Sequence, residues 1–362
     1  MIIRKHEKAC IAFFSLQALI VFLVLVMAIS PTFAKKKPAK VIVAYVTSWT
    51  SDIPDPKQMT HINYAFGHVN DLYNGVRIDH ETRLQAIVDL KKKHTHLKVL
   101  LSIGGWGSGR FSEMASDKIT RAQFAQDCAR VVKQFHLDGI DIDWEYPTNS
   151  ASGISSNVND THNFSLLMKA IRKAIGSKKL LTMASVASGK YVAFDMLEPY
   201  LNFVNIMTYD SGNPPYHHAS LYRSAMSGNT TCEEAVTAHI AAGIPAHKLV
   251  LGIPFYGRGN KQEVKSFIDY KDLLKLQGLE KKWDDVAKAN YMVNEQGEFV
   301  LSYETPESIK LKCNFIVTKG LLGAMYWEYA GDTDEGILRS TVYTGIFEYS
   351  LYRYLRIVNN RT

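Results

Sequence analysis

Residues 138–147 read DGIDIDWEYP and set Asp141, Asp143 and Glu145 at alternate positions among apolar and aromatic residues. In an extended chain alternate side chains share a face. The three carboxylates therefore point one way, and Ile140, Ile142 and Trp144 point the other way, into a hydrophobic layer. Burying one unpaired carboxylate is costly, and burying three is worse. A segment that gathers them uses their mutual repulsion to keep a carboxyl group protonated, which is the requirement for a general acid near neutral pH. Asp138 lies three positions before Asp141, so strict alternation does not place it on the shared face, and a structural role stands beside a catalytic one for it.

These residues need a scaffold that brings strand ends together. Short β-branched runs recur at 41–46, 61–66, 98–105, 139–145, 180–186, 203–210, 249–257 and 320–329, with helix-like stretches such as 80–94 and 119–136 between most of them. Eight strands alternating with helices predict a parallel sheet closed into a (β/α)8 TIM barrel. No glycine fingerprint follows the first strand, which argues against an open dinucleotide-binding sheet. The gap between the seventh and eighth strands is too long for one helix. It predicts a short β-rich insertion at 258–305 with a turn near Gly297, then a helix over 306–320. The barrel is thus assigned to 41–257 and 306–362.

Residues 1–34 read as an export signal: Arg4, Lys5 and Lys8, an apolar run from Ala9 to Ile29, then small residues up to Ala34. The apolar run is also long enough for a retained membrane anchor. A basic juncture, KKKPAK, occupies 35–40. The formal net charge of +7 is concentrated in these first residues, and the remainder is near neutral. Nothing in it suggests a nucleic-acid partner. Cys128, Cys232 and Cys313 have no metal-binding or disulfide-framework spacing, and buried free thiols are expected. No obligate protein partner, metal or cofactor is indicated.

The motifs together resemble those of family 18 glycoside hydrolases, the chitinase family. DGIDIDWEYP matches the DxxDxDxE signature. SIGGW (102–106), MTYD (207–210), GIPFYGR (252–258) and MYWE (325–328) are similar to the motifs of the third, sixth, seventh and eighth strands, in the same order. The resemblance implies Glu145 as general acid and then base, and Asp143 as the group orienting the substrate's acetamido group. It implies Asp141 as a deeper carboxylate exchanging a proton with Asp143. Tyr209 would donate a hydrogen bond to the attacking carbonyl oxygen. The nucleophile would be the 2-acetamido oxygen of the sugar rather than a second carboxylate. Tyr45 and Ser102 match positions that hydrogen-bond the inner aspartate, and Trp327 the aromatic floor under the distorted sugar. Met207, Asp210 and Arg258 match cleft positions, with Trp106 and Trp49 as further stacking faces.

Several residues carry a second reading. Gly104 and Gly105 answer to backbone packing, and Trp144 to the core. Met207 could simply fill the barrel, and Trp283 could pack in the insertion or touch substrate. His217–His218 reads as an exposed loop pair, with a metal pair as the alternative. The expected activity is secreted or cell-surface hydrolysis of β-1,4 bonds between N-acetylglucosamine units, with chitin or a related oligosaccharide as partner. An endo-β-N-acetylglucosaminidase of N-glycans is the alternative. A non-catalytic glycan-binding lectin is the reading from a different class, opposed by the presence of Glu145, Asp143 and Tyr209.

Overall fold

A computed structural model describes residues 40–348. The segment expected to serve export (1–34) and most of the basic juncture, with the last residues of the assigned barrel, lie outside them. Eight parallel strands form the barrel: β1 (Val41–Thr47), β2 (His61–Val69), β4 (Lys98–Gly104), β5 (Gly139–Asp143), β6 (Leu180–Val186), β7 (Phe203–Met207), β8 (Leu249–Pro254) and β14 (Gly323–Trp327). Pairing of β1 with both β2 and β14 closes the ring. Every expected strand is present, so the fold is a (β/α)8 TIM barrel. A short strand, β3 (Val76–Ile78), pairs antiparallel to β2 and was not foreseen, because three residues are too few to show a period.

The helices follow local rules. In chain order those of six or more residues are α1 (Glu81–Asp89), α2 (Phe111–Ser116), α3 (Lys118–Gln134), α4 (Asp160–Ile175), α5 (Cys232–Ala241), α6 (Pro306–Thr318) and α7 (Ile337–Tyr343). Asp117 caps α3 by accepting from the N–H groups of Ile119 (2.8 Å) and Thr120 (2.9 Å). Thr231 and Glu234 form a reciprocal capping box on α5. Thr305 caps α6, whose first residue, Pro306, needs no N–H partner there.

The insertion is an antiparallel sheet of five strands, β9 (Tyr256–Gly259), β10 (Ile268–Asp269), β11 (Glu280–Asp284), β12 (Ala289–Val293) and β13 (Phe299–Tyr303), in the order β10-β9-β13-β12-β11. It begins at Tyr256 rather than 258, because β9 follows β8 after a single residue. The turn between β12 and β13 contains Gly297 at φ +79°, a left-handed conformation that favours glycine.

Two apolar layers hold the barrel. The larger lies between sheet and helices and includes Ile140, Ile142 and Trp144. Trp144 stacks on Phe111 (5.3 Å) and meets the edge of Phe164 (5.6 Å), as its outward phase predicts. The smaller fills the barrel interior around Val43, Tyr45, Phe66, Val250 and Met325. Cys128, Cys232 and Cys313 are buried free thiols.

Candidate active site

The acidic strand behaves as its alternation predicts. Asp141 and Asp143 are buried on the inner face of β5, and Glu145 follows just beyond its C-terminal end, half-buried. All three therefore climb from the barrel interior to its mouth, the end where barrels of this architecture bind substrate. Asp143 and Glu145 line a cleft of about 1390 Å³ together with Tyr45, Trp106, Tyr209 and Trp327.

Asp141 is the innermost and is fully hydrogen-bonded. Its Oδ2 accepts from the Tyr45 hydroxyl and the Ser102 hydroxyl, each at 2.8 Å. Its Oδ1 accepts from Thr182 (2.5 Å) and from the Asn205 amide (3.3 Å). Tyr45 and Ser102 were expected here. Thr182 and Asn205 were not, although each is a single polar residue at an inward phase of an apolar strand. Register explains the meeting: Ser102, Asp141 and Thr182 sit side by side on β4, β5 and β6. Burial still raises the Asp141 pKa, and the four donors only moderate that rise.

Asp143 has no such support. Its Oδ1 is buried with no hydrogen-bond partner, and burial, then the charges of Glu145 and Asp141, push its pKa far up. Glu145 is pushed up to about 7, first by burial and then by the charge of Asp210, with the Tyr146 hydroxyl offsetting part of the effect. Two coupled carboxyls with raised pKa values form a pair that holds a proton at neutral pH. Such a group can protonate a leaving oxygen without an external acid.

Around this pair the strand ends supply aromatic walls. Trp327 stacks on Phe66 (5.7 Å between ring centres) and leans on Tyr45 (5.5 Å) and Trp49 (6.3 Å). Trp106, Tyr146 and Tyr191 form a second group, with Tyr146 stacked on Tyr191 at 5.6 Å. Trp106 is 65% exposed and Trp49 is 62% exposed, which leaves faces open to a ligand. Met207 packs on the barrel-interior cluster and also borders the cleft. Tyr209 lines the cleft, and burial raises its pKa and keeps its hydroxyl a donor. Gly104 is required by packing: a Cβ there would meet the Asp143 carbonyl oxygen at 1.9 Å.

Asp210 is held by Arg258 through Nε (2.7 Å) and Nη2 (2.6 Å), and by the Tyr256 hydroxyl (2.7 Å). Burial works against its charge, yet these donors and the nearby His218 keep its pKa well below the carboxylate range. The structure corrects the expectation for His217 and His218, which are both fully buried. His217 Nε2 lies 3.3 Å from Asp284 of the insertion, and His218 Nδ1 lies 3.6 Å from Asp210. The loop is covered by the insertion sheet, which no local pattern reveals. No group of three or more potential metal ligands occurs among the described residues. Trp283 bonds Asp285 through its indole N–H (3.2 Å) and does not line the cleft, so it belongs to the insertion. Asp138 sits at the opposite end of the barrel strand, paired with Lys91 (2.7 Å) and Lys98 (3.5 Å).

Comparison with known proteins gives one family. The family described as "Glycosyl hydrolases family 18" matches residues 41–332. Chitinase A1 of Niallia circulans is 30% identical over 92% of this chain, which spans 63% of the length of that relative. Chitinase 1 of Aphanocladium album is 33% identical over 74% of this chain and 70% of its own. Among solved structures, a family 18 N-acetylglucosaminidase from Paenibacillus barengoltzii is 31% identical with a TM-score of 0.77, covering 84% of this chain and 99% of that one. A chitinase from Rhizomucor miehei is 26% identical with a TM-score of 0.78, covering 84% and 100%. A barrel with the acidic ladder at the mouth, matched over nearly all of its described length, belongs to glycosyl hydrolase family 18.

Proposed function

We infer that this chain is a chitinase-type hydrolase that cleaves β-1,4 bonds between N-acetylglucosamine units, with retention, using the substrate's own acetamido group. The observation that carries this reading is the graded trio: Asp141 fully hydrogen-bonded, Asp143 buried with an orphan oxygen, and Glu145 pushed up to about 7. Glu145 protonates the glycosidic oxygen. The unpartnered oxygen of Asp143 suits an amide N–H, and that contact aims the acetamido carbonyl oxygen at the anomeric carbon. Tyr209 donates to the same carbonyl oxygen. Attack forms the oxazolinium and releases the leaving sugar. Glu145, now ionised, takes a proton from the water that opens it. The N-acetyl group is thereby a substrate requirement. Export through the N-terminal segment would place the activity outside the cytoplasm.

A second reading is an N-acetylglucosaminidase, favoured by the activity named for the Paenibacillus barengoltzii structure. Incubation with N-acetylglucosamine hexamer, read by mass spectrometry over time, separates the two. A spread of internal fragments supports the chitinase, and stepwise loss of single sugars supports the other. Binding without cleavage of any length would overturn both.

A further inference from the structure

A second polar group lines the same cleft, on the wall that carries Trp106. Pairing of β3 with β2 sets Arg77 opposite His68 and brings Asp79, just after β3, beside the imidazole. His68 Nε2 lies 2.9 Å from Asp79 Oδ2, and Nδ1 lies 2.8 Å from Ser108 Oγ on the loop after β4. Arg77 holds the other oxygen of Asp79. Burial works against the Asp79 charge, yet the bond from His68 and the charge of Arg77 keep its pKa below the ordinary carboxylate value. An ionised carboxylate can only accept, so Nε2 carries the proton. Burial lowers the His68 pKa, Asp79 answers only part of that, and the charges of Arg77 and Arg110 add to it. The ring is therefore neutral near pH 7, its Nδ1 offers a lone pair, and the Ser108 hydroxyl donates to it.

These contacts supply a nucleophile, a base and a group that orients the base, in hydrogen-bonding order. The ring nitrogens are used in the reverse of the commoner order. That leaves the chemistry unchanged, because the reaction needs one lone pair and one N–H. Ser108 lies between Gly107 and Gly109, so neither neighbour carries a side chain that could cover its hydroxyl. The N–H of Gly109, directly after the serine, has no hydrogen-bond partner among the described residues. It is available to an oxyanion formed at the serine. Arg110, which also pairs with Asp71 (2.7 Å), lines the cleft beside it. The side chains of His68 and Asp79 are 20% and 29% exposed, so the group is open to a ligand in the cleft.

We propose that Ser108, His68 and Asp79 form a second hydrolytic centre in this cleft, which removes acyl groups from esterified glycan hydroxyls. The Ser108 oxygen attacks the ester carbonyl carbon as its proton passes to His68 Nδ1. The tetrahedral oxyanion collapses, the carbon–oxygen bond to the sugar breaks, and the sugar oxygen takes the proton from Nδ1. Water then attacks the acyl-serine, giving a proton to the same nitrogen. Collapse returns that proton to Ser108 and releases the carboxylic acid. Arg77 shares the charge of Asp79 and so weakens the base. That favours an ester over an amide, because an alkoxide leaves more readily than an amide nitrogen. The glycan as carrier of the acyl group rests on the chitinase reading above, whereas the three-residue centre stands without it.

The test incubates the full chain with 4-nitrophenyl acetate and with an O-acetylated N-acetylglucosamine tetramer, the latter read for released acetate. The parent should hydrolyse both with saturation, and a fluorophosphonate probe should label Ser108, located by peptide mass spectrometry. Ser108→Ala and His68→Gln should each lose about 100-fold or more of kcat/KM on both esters, the range for loss of a nucleophile or general base. Glutamine keeps a donor and an acceptor where the ring was but cannot take the proton, so a group that only braced the loop would tolerate it. Thermal midpoints report the fold of each variant, and if neither folds, the label on the parent decides. Ester turnover that survives in either folded variant overturns the proposal, as does a label that is absent or on another residue. Absence of ester turnover while unesterified hexamer is cleaved also overturns it and spares the chitinase reading. Ester turnover with Ser108 labelled and the hexamer intact supports the centre and sinks the chitinase reading. Turnover of 4-nitrophenyl acetate without acetate from the tetramer overturns the glycan ester as substrate.

Discussion

Strand β5 has acidic residues at both ends, and their environments push them in opposite directions. Asp138, just before the strand, is partly buried, which opposes its charge. Hydrogen bonds from Lys91 (2.7 Å) and the Val99 N–H (2.9 Å), with the charge of Lys98, outweigh that burial and lower its pKa. Asp143 and Glu145, at the other end, have no cation to answer burial, and theirs rise. The same residue type within one short strand thus stabilises the fold at the bottom and stores a proton at the top. The difference lies in what each end meets. The bottom is sealed by lysines from neighbouring elements, whereas the top opens on a cleft where the missing partner is a substrate.

Replacing the top carboxylates should cost activity and not folding. Glu145→Gln should reduce kcat by on the order of 10³ or more while oligosaccharide affinity survives, a range consistent with loss of a general acid. A near-parent kcat would break the comparison at its centre. Asp143→Asn should reduce kcat by about 10² through loss of transition-state charge stabilisation. Kinetics on N-acetylglucosamine tetramer would check both.

The pH behaviour sharpens the contrast. Activity should fall as pH rises through about 7, where Glu145 loses its proton. Asp210→Asn removes a negative charge that helps hold that proton, so the alkaline limb of kcat/KM should move to lower pH. An unmoved limb would remove Asp210 from the electrostatics of the site. Stability follows from the same signs. Glu145 has a folded value above its unfolded one, so its ionisation costs stability. That cost is absent below about pH 4.3, grows above it and is complete above about pH 7. Glu145→Gln should therefore raise the thermal midpoint at pH 8 more than at pH 5.

The bottom end should respond by stability alone. Asp138 has a lowered folded value, so its contribution is present above about pH 3.9 and is lost as pH falls through the folded value. Asp138→Asn should cost about 1.5–3 kcal/mol at pH 7, the usual range for a hydrogen-bonded charged group. Its kcat/KM should stay within about twofold, the smallest change in activity of the set. Urea unfolding alongside oligosaccharide kinetics would show the split, and a large loss of activity in the folded variant would erase it.

Much of this was legible in the chain. The inward phase of Asp141, Asp143 and Glu145 and the outward phase of Trp144 follow from a period of two, which is a local property. Strand and helix placement followed from local runs for the same reason, as with the stretch 119–136 that forms most of α3. Tyr45, Ser102, Asp210 and Arg258 were singled out through motif order rather than through any local pattern; the structure bonds the first two to Asp141 and the last two to each other.

What escaped depends on closure. Thr182 and Asn205 reach Asp141 only because the sheet bends into a ring and sets their strands in register. Burial of His217 and His218 follows from a sheet some tens of residues further along the chain folding over their loop. By itself the sequence determined which side chains face inward along each strand, because alternation needs only neighbouring residues. The tertiary structure decided which charges meet and which stay unanswered, because Coulomb interactions and desolvation act through space between residues that the chain keeps far apart.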